Sequence, residues 1–492
     1  MRGAWRVADI RAAEEALMAT LPEGALMQRA ATGLARRCAG LLADRAGGVY
    51  GRRVLLLVGA GNNGGDALFA GASLARRGAL VMALPLVPDR IHRAGLAALR
   101  EARGLVVSAV PSTVDLVVDG ILGIGGQGGL RERAAEAVDS ANGARGGDGE
   151  RPIVVAVDVP SGIDVDTGAV NGRAVRADVT VTFGALKVGL VVGAGAVHSG
   201  LVDLVDIGLA PWLRGDPAVW VPEMADVAQW WPRLAPRDEK YRRGVVGVAT
   251  GSAGFPGAAM LSVGGALAGP VGMVRYAGVA AEGVRLHHPS VIVTDRVAKA
   301  GRVQAWTCGC GLGTDDRAES ELRAVLGSDV PVCLDADALT LLMDGKMAGW
   351  LRRRDAPTVV TPHDREFARL FGSEPGDDRL DSALQLASWM NAVVLLKGDR
   401  TIVATPDGRA YANPTGTPAL ATAGTGDVLA GLLGSLLAGG LAADQAAVAA
   451  AYVHGLAGRQ AAESGPVTAV DVAESLRRVL VDIGVPAAGS AA

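Results

Sequence analysis

The feature that most constrains this chain is a recurring pattern: short, fully apolar runs, each followed by a glycine-rich or polar loop and then by helical text. The stretch RRVLLLVGAGNNGGDALFAGASLARRGALVMAL (residues 52–84) reads as buried strand, glycine turn, helix and strand. DLVVDGILGIGG (115–126), PIVVAVDVPSGIDVDTG (152–168) and ADVTVTFGALKVGLVVG (177–193) repeat the passage from strand to loop. Strands that are apolar throughout, rather than alternating, belong to parallel sheets covered on both faces by helices. In such sheets ligands bind at the carboxyl ends of the strands.

The pattern stops in PEMADVAQWWPRLAPRDEKYRRG (222–244), where prolines, paired tryptophans and mixed charges suit an interdomain connection. A second series then begins with VVGVATGS. It continues through VGMVRYA, AWTCGCGLG, VPVCLDADAL, TVVTPHDREF and AVVLLKGDRTIVAT to ATAGTGDVLAGLLGSLLAGG. The halves do not align as a repeat. Two different α/β domains are expected, 1–222 and 243–485, with 223–242 as linker and a disordered AAGSAA tail; 492 residues suit that number.

Composition removes several classes of function. The net charge is −3, without a long basic run, which argues against nucleic acid and anionic membrane surfaces as partners. The four cysteines form no CxxC pair and no zinc spacing, and the N-terminus lacks the apolar core of a signal peptide. The greasiest run, 428–443, is too short for a membrane span and reads as a buried helix. A cytoplasmic protein is expected. Five of the 48 basic residues are lysines, and two of these, Lys187 and Lys397, stand in strand-like text.

In the second half, GTGD at a helix start leaves backbone N–H groups aimed outward, where glycines allow close approach of an anion. Asp427 in that first turn suits either a proton acceptor beside a phosphoryl group or a helix cap. Lys397 and Gly398 follow an apolar strand, as a phosphate-facing turn would. His363 and Glu366 stand at the mouth of another; Glu366 suits a magnesium-bound water or a capping box. CGCGLGTD and LDADAL add a glycine loop and the carboxylates Asp335 and Asp337.

GTGD, LDADAL, TPHDREFARL and LLKGDRT, in their combination, resemble the ribokinase-like family, and more narrowly its NAD(P)H-hydrate dehydratases, over the whole second half. ATGSAGFPGAAM (249–260) is similar to a loop of that branch, with Phe255 in the place of a tyrosine, and Cys310 stands where proline is usual. The resemblance implies that a nucleotide, ADP, with magnesium, phosphorylates the hydroxyl of a hydrated nicotinamide ring. Phosphate loss then restores NADH or NADPH. It implies Asp427 as base, with Ala258, Gly313 and His363 at the substrate and Lys397, Gly398, Asp399, Arg400, Thr401 and Gly426 at the nucleotide.

In the first half, VGAGNNGGDALFAG follows a strand and opens a helix, yet it does not cleanly meet the GxGxxG dinucleotide fingerprint. Oxygen atoms of Asn63, Asp119 and Ser161 suit a hard cation, monovalent or divalent. GNNGGD, DVPSG and TFGALKVGL resemble the YjeF N-terminal family of NAD(P)H-hydrate epimerases, over residues 1 to about 220. That resemblance places the hydrate on Asn62, Asn63, Gly64, Gly65 and Asp66, and on the loop Gly123, Ile124, Gly125, Gly126, Gln127, Gly128 and Gly129. It gives Asp158 a substrate contact and potassium to Asn63, Asp119 and Ser161. Ala60, Ala67 and the longer GIGGQGG loop depart from the family pattern. Epimerisation requires an acid–base group at the hydrated carbon; Asp158 is the first candidate. Lys187 is the second, with a structural pairing to an acid as its alternative reading.

The expected fold is therefore α/β with two doubly wound domains. The N-terminal one is a Rossmann-like three-layer αβα domain and the C-terminal one a ribokinase-like αβα domain. The expected substrates are the two hydrates, NADHX and NADPHX, with ADP, and assembly as a homo-oligomer is expected. The competing reading is a vitamin-precursor kinase fused to a non-catalytic binding domain, because fold alone does not fix function.

Overall fold

The computed structural model describes residues 1–126, 128–233, 235, 238–343 and 345–485; Gln127, three residues of the 223–242 segment and the AAGSAA tail lie outside them. The chain divides into two compact units, Gly3–Val219 and Met1–Arg2 with Trp220 onward.

In the first unit seven strands form a parallel sheet: Arg53–Val58, Leu80–Pro85, Leu105–Val106, Leu116–Gly120, Ile153–Val157, Val179–Phe183 and Leu201–Val205. Counted along the chain, their order is 3-2-1-4-5-6-7. Val54, Leu56 and Val58 of the first strand enter one apolar cluster, with Leu34 and Cys38 of helix Ala25–Ala46. Leu55 and Leu57 enter another, with Ala134 and Val138 of helix Glu132–Gly143. Alternate side chains thus feed opposite faces, and the three-layer sandwich follows from the unbroken apolar run. The strand order reverses between the first and fourth strands, which opens a crevice at their carboxyl ends.

The second unit repeats this opening. Among the described residues, nine strands from Val245 onward begin with Val245–Ala249, Met273–Ala277, Ile292–Thr294 and Ala305–Cys308. Val332–Leu334, Thr358–Val360, Val393–Leu396, Ile402–Ala404 and Ala410–Ala412 follow. Their order is 3-2-1-4-5-6-7-8-9, parallel through the seventh and antiparallel for the last two pairings. Helix Thr425–Ala438, apolar from Val428 onward except for Ser435, packs on helix Pro256–Ala268 at backbone distance: a Cβ on Gly431 would strike the Ser262 carbonyl. That contact fixes where the GTGD turn points.

Within 223–242 lies helix Met224–Trp230, closed by a reciprocal Glu223–Asp226 capping box, and Val227 and Trp231 are buried in the core of the second unit. The Met1 amino group lies 2.7 Å from Asp226. Among the described residues no helix is long and apolar enough to cross a membrane.

Candidate functional site

The crevice of the first unit is a cavity of about 860 Å³. The turn after the first strand reaches it because Gly59 passes so close to the Ile121 carbonyl that no side chain fits there. Helix Asn62–Arg76 then starts from Gly61 (φ 90°) with no side-chain cap, and Asn62, Asn63 and Asp66 line the cavity. Gly123, Ile124, Gly125, Gly126 and Asp158 line it from two further strand ends. Gly64 and Gly65 are buried in the helix against Gly59 and His92 rather than lining the space; Gly129 lies against Asn171, and Gly128 takes a left-handed turn (φ 74°). Sequence reasoning missed Arg11, Glu14 and Met18. They form one stripe of helix Val7–Met18, beside the buried stripe of Ile10, Ala13 and Leu17, and that spacing was the available signal. Arg11 Nη2 donates to the Ile124 carbonyl at 3.2 Å and so ties the glycine loop.

Asp158 stands in the left-handed region (φ 65°) directly after its strand. Its Oδ1 accepts from Lys187 Nζ at 2.5 Å and from Thr182 Oγ1 and the Phe183 N–H at 3.2 Å. Lys187 is 1% exposed and also donates to Thr182 Oγ1 and the Phe183 carbonyl, both at 2.9 Å. Its three protons are committed, so Lys187 positions Asp158 and has none left to transfer.

Asp119 and Ser161 are fully buried and meet. Ser161 Oγ donates to Asp119 Oδ1 at 2.7 Å, and the Ser161 N–H donates to Oδ2 at 2.8 Å. Burial lifts the Asp119 carboxyl to about 6 against these hydrogen bonds, and among the described residues no cationic side chain pairs with it. Asn63 Oδ1 lies beside Gly123, where a Cβ would approach it to 3.0 Å, and Asn63 Nδ2 is buried with no partner among the described residues. An all-oxygen set around an uncompensated buried carboxylate fits a hard cation.

In the second unit, Lys397 Nζ lies 2.6 Å from Asp335 Oδ1 and 3.6 Å from Glu366 Oε2. Burial alone would lower the pKa of Lys397, but Asp335 and Glu366 outweigh it and hold the ammonium charged. Thr361 Oγ1 donates to Asp335 Oδ1 at 2.7 Å, and Cys310 Sγ approaches Oδ2 at 3.5 Å. Cys310, Asp335 and Asp427 each bring a donor atom within 4.8 Å of the others. A Cβ on Gly426 would lie 3.7 Å from both Asp335 Oδ2 and Lys397 Nζ, so the GTGD turn faces the ion pair.

The helix at Thr425 is capped by Gly424 (φ 89°), with no side-chain cap bond. Asp427 is therefore not spent as a cap. Burial, then the charge of Asp335, lifts its carboxyl to about 7. That value suits a general base near neutral pH. Glu366 does cap: it accepts from the His363 N–H at 2.9 Å while His363 Nδ1 accepts from the Glu366 N–H. His363 therefore orients helix Asp364–Phe371 and keeps its ring half exposed.

Asp337 accepts from the Gly313 N–H at 2.8 Å, and Ala258 and Phe255 pack on Gly311, so the glycine loop bridges two strand ends. In the 397–401 turn, Thr401 Oγ1 donates to the Gly398 carbonyl at 3.1 Å and Arg400 to the Pro414 carbonyl at 3.0 Å. Asp399 lies 3.8 Å from Arg400. Arg379, which sequence reasoning also missed, donates to the Lys397 carbonyl at 3.2 Å.

Comparison with known proteins covers both units. The NAD(P)H-hydrate dehydratase family model matches residues 246–478, and the model of the YjeF-related N-terminus matches 23–189. The chain is 50% identical over 453 residues to the bifunctional NAD(P)H-hydrate repair enzyme Nnr of Mycobacterium tuberculosis, covering 91% of each chain. To the protein of that name from Mycobacterium leprae it is 49% identical, covering 95% of this chain and 96% of the relative. An ADP/ATP-dependent NAD(P)H-hydrate dehydratase from Bacillus subtilis, co-crystallised with ATP and Mg2+, is 26% identical with a TM-score of 0.47; the match spans 54% of this chain and 99% of that one.

Proposed function

The chain belongs to the family of bifunctional NAD(P)H-hydrate repair enzymes, and from that membership we propose how its two units divide the work. The protein repairs hydrated nicotinamide cofactors. The first unit, from within residues 1–222, interconverts the R and S epimers of the hydrate. The second, within 243–485, dehydrates the S epimer to NADH or NADPH at the expense of ADP, giving AMP and phosphate. Family matches through both halves favour this reading over a vitamin-precursor kinase carrying a non-catalytic domain.

The observation that carries the second activity is the uncapped GTGD turn facing Lys397 and Asp335. The N–H groups of 424–426 and Lys397 hold the phosphoryl group, while the Asp427 N–H closes the turn on the Gly424 carbonyl at 3.1 Å; Gly398 to Thr401 shape the nucleotide side. Asp427 takes the proton of the ring hydroxyl as it attacks the terminal phosphorus, and phosphate then departs. Ala258, Gly313 and His363 border the ring. The carboxylate of Asp335 suits Mg2+, which would neutralise charge on the phosphates when bound.

In the first unit the hydrate fills the cavity between the Asn62–Asp66 turn and the 123–129 loop, with Asp158 against the reacting ring. Asn63, Asp119 and Ser161 hold potassium, which supplies the positive charge that Asp119 lacks. The enzyme works in the cytoplasm as a homo-oligomer. The test is to incubate the protein with mixed epimers and ADP. Complete return of reduced-cofactor absorbance supports both activities, return of only the S fraction removes the epimerase, and a stable phosphorylated product indicates the kinase.

A further inference from the structure

Asp66 sits one helical turn past Asn63 and borders the cavity of the first unit. It is 9% exposed, yet its Oδ1 has no hydrogen-bond partner among the described residues. Burial, and then the charges of Asp158 and Glu14, hold its carboxyl well above the usual range. Glu14, on the facing helix, is raised by burial and by Asp158. A buried carboxylate without a partner is costly, whereas a neutral carboxyl is tolerated and carries a proton to give. Asp158 is differently placed, because its Oδ1 is fixed by Lys187, Thr182 and Phe183. The cavity therefore sets an anchored carboxylate, Asp158, against an unanchored carboxyl, Asp66, an arrangement that separates electrostatic and proton-transfer roles.

The chemistry needs both. Water adds to an enamine double bond at the carbon next to nitrogen, so the hydrate is a carbinolamine. Its carbon inverts if the hydroxyl leaves and water returns from the other face. We propose that Asp66 is the proton donor and acceptor of this epimerisation, on the reading of the cavity as the hydrate site. Its proton passes to the departing hydroxyl as the C–O bond breaks and the nitrogen lone pair closes a C=N bond, releasing water. Water then adds to the opposite face, the C=N pair returns to nitrogen, and the proton of the added water returns to the Asp66 carboxylate through the water released in the first step. The cationic ring formed between these steps lies beside Asp158 and Glu14, whose charges stabilise it.

The test uses the full chain without nucleotide, so that dehydration is idle, and follows exchange of a single epimer by chromatography in oxygen-18 water. In the native protein each inversion should bring in solvent oxygen; inversion with retained oxygen would overturn the dissociative step. D66N should slow exchange by roughly 10²- to 10⁴-fold, with hydrate affinity little changed and ADP-driven dehydration of the S epimer intact as the control of folding. D66E should recover part of the rate. A D66N rate close to native overturns the proposal, and so does loss of hydrate binding in D66N, which makes Asp66 a binding group. E14Q adds a pH readout. Arg11, Glu23 and Asp158 also line this space, and Lys187 lies behind Asp158. Removing the Glu14 charge lowers the Asp66 pKa, so activity should fall away at a lower pH than in the native protein; an unmoved profile counts against the proton donor. A native chain that exchanges no epimers would instead refute the reading of the cavity.

Discussion

Lys397 Nζ stands 2.6 Å from Asp335 Oδ1, a part-buried ion pair that faces Gly426. A strand end, the LDADAL loop and the GTGD turn thus meet at one charge pair. Lys397→Met leaves Asp335 buried and unpaired, at a cost of roughly 3–5 kcal/mol. We expect a lower thermal midpoint and loss of ADP binding. In Lys397→Met/Asp335→Asn the midpoint should largely recover while dehydration stays absent. A midpoint unchanged in the single variant would show that the pair is solvated.

Nucleotide choice is the second prediction. The 397–401 turn and the GTGD start resemble those of ADP users, so ADP should drive dehydration of the S epimer faster than ATP at equal concentration. Initial rates of NADH return with each nucleotide decide it, and an equal or faster ATP rate refutes it.

The two activities should separate by mutation. Asp158→Asn keeps a residue type that tolerates the left-handed backbone at this position (φ 65°). It should remove rapid epimer exchange while dehydration of the S epimer continues. Because Lys187 is 1% exposed, the variant should also melt lower, and Asp158→Asn/Lys187→Met should regain part of that loss. If dehydration of the S epimer disappears in folded Asp158→Asn, the division of labour is wrong.

Potassium supplies a fourth measurement. A ligand that binds only the folded state raises its stability in proportion to the logarithm of its concentration. Exchanging tetramethylammonium for K+ at constant ionic strength should raise the thermal midpoint and the epimerisation rate. Asp119→Asn should flatten both responses. A native protein indifferent to K+ would remove the cation from this site.

Much of this was legible in the sequence because apolar strands followed by glycine turns leave few topologies open. The buried runs at 54–58 and 245–249 both became strands with parallel neighbours on either side, and the residues just after the first run reached the crevice. Glu14 and Arg11 were not legible: they join the cavity through tertiary packing of an amphipathic helix whose text looks like any surface helix. The orphaned Oδ1 of Asp66 was equally hidden, since NNGGD shows which residues stand together and not which atoms lack partners. Glu366 had two readings open, and the capping geometry with His363 gave it the local one.

Asp427 permits the sharpest test. As base it acts when ionised, so dehydration at saturating substrate and ADP should rise with pH through about 7 and level off above it. Asp427→Asn removes proton acceptance at nearly constant size, and the rate should fall by roughly 10²- to 10⁴-fold. Nucleotide affinity should change little, because backbone N–H groups and Lys397 hold the phosphates. Stability moves the other way. The folded carboxyl titrates at about 7, above its unfolded value of about 4, so its contribution to stability is full below about pH 4. That contribution is lost as pH rises through about 7, and asparagine has no such loss. Near pH 8, Asp427→Asn should therefore melt no lower than the native chain, whereas removal of a helix cap would cost roughly 1 kcal/mol and spare turnover. Single-turnover rate, ADP binding and thermal midpoint on one preparation separate these outcomes. A near-native rate in Asp427→Asn would take this carboxylate out of the mechanism.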